Sequence, residues 1–89
     1  MMQWVVYLLV CADGTFYCGV SNDLEKRIAK HNGKFSGGAK YTSVRRPVKL
    51  IGYMECADRS SAQKMEVYIK KLPRPAKLDF FMRAASDVA

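Results

Sequence analysis

Residues 3–11, QWVVYLLVC, are mostly β-branched, aromatic and aliphatic, and none is charged. A run of this kind reads as a buried strand. Asp13-Gly14 follows and is a strong turn signal. Thr15 to Val20 then reads as a second strand, so the chain opens with a hairpin. At 89 residues there is room for one core and little more, and residues 1–89 are expected to form a single domain.

Ser21-Asn22-Asp23 supplies helix N-cap candidates, Leu24 to Asn32 reads as the helix, and Gly33 ends it. A glycine-bearing stretch then runs from Gly33 through Gly37, Gly38 and Ala39 into Lys40-Tyr-Thr-Ser-Val-Arg-Arg46. A loop this long in so small a chain points to function. Pro47 to Cys56 reads as a third strand, with Pro47 at its start. Asp58-Arg-Ser-Ser opens a second helix that reaches about Leu72 and is stopped by Pro73 and Pro75; a short final helix covers about Ala76 to Ala85. The order β-β-α-β-α-α predicts an α+β fold: a small, three-stranded, largely antiparallel sheet flanked by helices.

Fifteen Lys and Arg against eight Asp and Glu leave a net charge of +7. Such a surplus on a small surface favours a polyanionic partner, with nucleic acid ahead of an anionic membrane, because the basic residues do not line one long amphipathic helix. No stretch reaches the roughly 20 apolar residues of a membrane span. The N-terminal run lacks a basic n-region, so it does not read as a signal peptide. Cys11, Cys18 and Cys56 are odd in number and fit neither a zinc site nor a disulfide framework. A reducing, intracellular location follows: cytoplasmic, nucleoid or nuclear.

Several residues stand where a plain fold would not choose them. The inward stripe of the first helix is Leu24, Arg27, Ile28 and His31, two apolar and two basic residues. Either Arg27 and His31 face one site, or the stripe turns and leaves Arg27 exposed. On the second helix Glu66 borders the apolar stripe Ala62, Met65, Ile69 and Leu72. A carboxylate there needs a cation, either a metal ion or a basic side chain; a surface pair with Lys70 at i+4 is the alternative. Tyr7 and Tyr17 on the hairpin read as half-buried strand tyrosines when taken alone. Lys40, Arg45 and Arg46 on the long loop suit phosphates, and Tyr41 suits stacking on a base.

Taken together, these residues resemble the GIY-YIG nuclease family, in its compact standalone single-domain branch. They are also similar to the nuclease subunit of eukaryotic structure-selective endonucleases. Val5-Val6-Tyr7 stands at the first signature and Tyr17-Cys18-Gly19 at the second, with the tyrosines ten apart. Arg27 and His31 form the Arg-x-x-x-His pair, Glu66 falls in the later helix, and Ala39-Lys40-Tyr41-Thr42 with Arg46-Pro47 extends the likeness. Departures are the valines of the first signature, Cys18 in the second, and the lack of an asparagine after Glu66.

The resemblance implies a divalent-metal-dependent endonuclease that hydrolyses phosphodiester bonds of nucleic acid, DNA in preference to RNA. Glu66 would hold one Mg²⁺ or Mn²⁺, and Arg27 would meet the phosphate. Tyr17 first, or His31 second, would accept the proton of the attacking water, with Tyr7 helping to place it. Lys40, Tyr41, Arg45 and Arg46 would bind the nucleic acid. Two alternatives stay open: a non-catalytic nucleic-acid-binding module, and a nuclease subunit active only with a protein partner that supplies the target. The resemblance also makes a geometric demand, that Tyr7 and Tyr17 share one face of the hairpin. A two-residue turn would separate them; a three-residue loop, Ala12 to Gly14 or Asp13 to Thr15, joins them.

Overall fold

The computed structural model describes residues 3–33 and 40–87, with side chains through Arg83. Strands β1 (Trp4–Val10), β2 (Phe16–Ser21) and β3 (Lys49–Cys56) form one antiparallel sheet in the order β2-β1-β3. Around it lie α1 (Leu24–His31), α2 (Lys40–Ser43), α3 (Arg59–Lys70) and α4 (Arg74–Asp87). This is the expected α+β order, with one addition: the four-residue helix α2 in the long loop. Residues 34–39, including Gly37 and Gly38 of that loop, lie outside the described residues.

The hairpin register pairs Tyr7 with Gly19 and Leu9 with Tyr17. Cys11 N donates to Thr15 O at 2.8 Å, which closes a three-residue loop, Ala12 to Gly14. Gly14 takes φ 84°, a region open to glycine and costly for other residues. The Asp13 carboxylate caps the turn by accepting from Thr15 N at 3.1 Å and Thr15 Oγ1 at 2.6 Å. The odd loop puts Tyr7 and Tyr17 on one face, as the family resemblance demands.

Alternation along β1 then divides the interior in two. Val5, Tyr7 and Leu9 point to the α1 side and pack with Cys11, Val48, Leu24 and Ile28. Val6 and Leu8 point the other way and pack with Cys18, Ile69 and Phe81 beneath α3 and α4. Each fully buried aliphatic or aromatic side chain here contributes about 1.5–3 kcal/mol.

Local chemistry sets the helix ends. Asp23 caps α1 by accepting from Lys26 N, and Asp58 caps α3 by accepting from Ser61 N. Asn32 ties the end of α1 to the approach of β3: its Oδ1 accepts from Val48 N at 2.7 Å and its Nδ2 donates to Val48 O at 3.2 Å. The strand accordingly starts at Lys49, two residues after Pro47. The last helix starts at Arg74, two residues before the expected Ala76. Pro75 falls in its first turn, where the missing N–H has no intrahelical partner to lose.

Candidate active site

The α1 face of the sheet contains buried polar side chains. Tyr7, His31 and Thr42 are each fully buried. The Tyr7 hydroxyl lies 2.9 Å from His31 Nε2, and His31 Nδ1 lies 2.8 Å from Thr42 Oγ1. The Tyr17 ring meets the His31 ring edge-on at 4.9 Å, and Tyr41 lies beyond it at 6.0 Å. Arg27 hydrogen-bonds both Tyr7 and Tyr17. Four of the expected catalytic residues, Tyr7, Tyr17, Arg27 and His31, therefore meet in one cluster. The stripe of α1 does carry Arg27 and His31 towards the sheet.

Burial and charge set the protonation of this cluster. Burial pushes the Tyr7 phenol up to about 12, against the pull of the nearby Arg27. Burial pushes the His31 imidazole down to about 4, with Arg27 and Arg46 adding repulsion. Burial also works against the Arg27 charge, but the Tyr7 and Tyr17 hydroxyls hold its affinity for the proton above the ordinary arginine value. At neutral pH, Tyr7 thus keeps its proton, His31 is neutral and Arg27 is charged. Arginine only donates, so Tyr7 accepts from Arg27 and donates its own proton to His31 Nε2. The His31 proton then sits on Nδ1 and is donated to Thr42.

Two residues of this cluster were not among the expected site residues. The Tyr7 phenol lies across Gly19: a Cβ there would stand 2.5 Å from the Tyr7 oxygen and 3.2 Å from the Tyr17 ring. The glycine of Tyr17-Cys18-Gly19 is needed because two tyrosines crowd its Cα. Thr42 is the second. Its place is set by α2, and the signal available in the sequence was its position after Lys40-Tyr41.

Glu66 stands on the other face. It lies on α3 near the Cys18 thiol, which burial first and the Glu66 charge second push up to about 12. The Glu66 side chain is 22% exposed and pairs with Lys70 at 3.5 Å, so the expected i+4 pair is present. Because β2 is an edge strand, the Tyr17 and Cys18 sides meet at its rim; both residues line a cleft with Tyr41, Lys70 and Lys77.

The loop residues divide. Lys40 and Tyr41 are exposed at the start of α2. Arg45 pairs with Asp13 at 3.0 Å, donates to Tyr41 O at 2.9 Å and lies 4.0 Å over the Tyr41 ring. Arg46 donates to His31 O at 2.7 Å and so caps the end of α1. Both arginines hold the loop against the hairpin and helix. Among the described residues no three His, Cys, Asp or Glu side chains group as a metal cage.

The GIY-YIG catalytic domain family matches residues 3–79. The chain belongs to the GIY-YIG family. That family consists of nucleases, hydrolases of phosphodiester bonds that act on nucleic acid. A UPF0213 protein of Lactococcus lactis is 48% identical over 80 residues, covering 88% of this chain and 74% of its own. A UPF0213 protein of Desulfotalea psychrophila is 48% identical over 69 residues, covering 78% of this chain. The chain spans 62% of that relative and 66% of a UPF0213 protein from Nitratidesulfovibrio vulgaris, less than two thirds of either. Among solved structures, a UPF0213 protein from Bacillus halodurans matches with a TM-score of 0.54 at 38% identity, covering 89% of this chain and 82% of that one. A protein from E. faecalis matches with a TM-score of 0.61 at 35% identity, covering 93% and 85%. No helix among the described residues is long and apolar enough to cross a membrane.

Proposed function

We propose that this GIY-YIG chain is a metal-dependent endonuclease that cuts DNA, with its active site at the rim of β2. The observation that carries this reading is the meeting of Tyr7, Tyr17, Arg27 and His31 in one hydrogen-bonded cluster beside Gly19. A scissile phosphate placed against Arg27 would meet a guanidinium already aimed by Tyr7 and Tyr17 and partly desolvated, which favours the added charge of the transition state.

The donor set fits a magnesium-type ion. One partly exposed carboxylate, Glu66, is enough for an ion that keeps most of its waters, and a tight cage is not required. When bound there, Mg²⁺ or Mn²⁺ would supply charge neutralisation at the phosphate and leaving oxygen. Tyr17 is the phenol on the rim of the cleft, and it positions the attacking water. His31 is buried with both ring nitrogens engaged, so it orients Tyr7 and does not meet water. Tyr7 in turn holds Arg27 in place. Lys40 and Tyr41 are available to the nucleic acid from α2, and an intracellular setting agrees with three free cysteines.

The test is incubation with single-stranded, duplex and branched DNA and with RNA, in Mg²⁺ or Mn²⁺, beside Arg27→Ala and Glu66→Ala. Cutting of DNA that both variants lose supports the reading. Binding without cutting in all three proteins would replace it with a non-catalytic binding module, and cutting that appears only with an added protein would make the chain a partner-dependent subunit.

A further inference from the structure

The active-site cluster lies between two clefts, and each cleft shares one residue with it. On the α1 side a cleft of about 300 Å³ is lined by Ser21, Asn22, Asp23, Lys26, Arg27 and Lys30. On the α3 side a cleft of about 400 Å³ is lined by Phe16, Tyr17, Cys18, Tyr41, Lys70 and Lys77, among others. Arg27 belongs to the first and Tyr17 to the second. Lys26 and Lys30 are four apart on α1, so they stand one turn above the other beside Arg27.

The charges of these clefts are open to a ligand. Neither Lys26 nor Lys30 is in an ion pair among the described residues. Asp23, the acid lining the first cleft, is engaged as the cap of α1. Across the rim, Lys70 is 55% exposed, and its ion pair with Glu66 is long at 3.5 Å, which leaves two of its three N–H donors for a phosphate. Lys77 donates one N–H to Leu72 O at 2.6 Å and has two more to offer. Arg45 and Arg46, by contrast, are held by Asp13, Tyr41 and His31.

We propose that one nucleic-acid backbone crosses the rim of β2, with phosphates held by Lys26 and Lys30 on one side of the cluster and by Lys70 and Lys77 on the other. The partner is a phosphodiester chain because both clefts present lysines, and because the chain must pass Arg27 and Tyr17 to enter either. This track rests on the nuclease reading of the cluster. It moves the main phosphate contacts from the Arg45-Arg46 loop to α1 and to the α3–α4 junction.

Binding of a labelled DNA duplex is measured in EDTA across a salt series, so that cleavage plays no part. Lys26→Gln/Lys30→Gln and Lys70→Gln/Lys77→Gln are compared with Lys49→Gln/Lys64→Gln. The control removes equal charge from β3, at the far edge of the sheet, and from beside Met65 and Tyr68 on α3. Removing one phosphate-binding lysine lowers the slope of log K against log salt by about one, so each track pair should lower it by about two. Affinity should fall roughly tenfold or more for each track pair and far less for the control, whose slope should match the wild type. Equal weakening by track and control pairs would overturn the track and leave the nuclease reading standing. Because Lys77 also steadies the end of α3, melting curves accompany the second pair, and the first pair decides by itself. A wild type that neither binds nor cuts nucleic acid would sink the nuclease reading and the track with it.

Discussion

The two faces of the sheet are built from alternate residues of one strand, yet they differ in kind. Beneath α3 and α4, Val6, Leu8, Cys18, Ile69 and Phe81 pack as an apolar core. Beneath α1, at the same depth, Tyr7, His31 and Thr42 form a buried hydrogen-bonded chain that reaches Arg27. An apolar face tolerates changes that keep its volume, whereas a buried polar chain fails when one member is removed. Both faces carry apolar packing, but the α1 face adds a buried polar chain to it, and the candidate site lies at the strand edge where the two sides meet.

The largest expected effect breaks the apolar face. Phe81→Ala should cost about 3–5 kcal/mol, read by denaturant unfolding. The folded fraction should still cut nucleic acid, because Phe81 packs with Val6, Leu8, Cys18 and Ile69 on the face away from Tyr7 and His31. Loss of specific activity in the folded fraction would contradict this difference between the faces.

Next comes pH. His31 titrates near 4 in the folded protein and near 6.5 when unfolded. Between those values the unfolded chain takes up a proton that the folded one refuses. Stability is therefore full above pH 6.5 and falls as pH drops towards 4, by on the order of 3 kcal/mol. Unfolding curves at several pH values measure this, and His31→Gln should flatten the slope in that window. An unchanged slope in the variant would assign it elsewhere.

A smaller effect contrasts two nearly isosteric changes on the same strand. Tyr7→Phe strips a partner from both His31 and Arg27 and should cost about 1–3 kcal/mol, with cutting reduced roughly a hundredfold. Leu8→Met, one residue on and facing the other way, should cost less than about 1.5 kcal/mol and leave cutting intact. The smallest effect is at Thr42. Thr42→Val removes one hydrogen bond, worth about 1 kcal/mol net. It should also shift the His31 ring proton off Nδ1, read by ¹⁵N NMR, and Thr42→Ser should restore it. A ring tautomer indifferent to both variants would remove Thr42 from the chain.

Much of the fold was legible because its signals are local. The apolar run, the Asp13-Gly14 turn and the Asp23 and Asp58 caps each act within a few residues. The three-residue loop followed from requiring both tyrosines on one face. Arg27 and His31 were legible from helical spacing, although spacing alone left their direction open. The rest depends on contacts distant in the chain. Thr42 joins the cluster because α2 brings its hydroxyl within 2.8 Å of His31, at the end of α1. Arg45 and Arg46 look like free phosphate ligands until Asp13, Tyr41 and His31 are brought beside them. Glu66 offered a metal or a lysine as its partner; the Lys70 pair is present, and one weakly held carboxylate is compatible with both readings.

The proposed role of Glu66 is tested most directly by single-turnover cutting by Glu66→Gln in Mg²⁺, measured beside its melting curve. Glu66 is partly exposed and its ion pair is worth at most about 1 kcal/mol, so stability should barely change. The expected result is an intact fold, an unchanged tyrosine–arginine cluster and cutting slowed by roughly a hundredfold or more. Cutting at the wild-type rate by this variant would contradict an active site that spans the rim of β2.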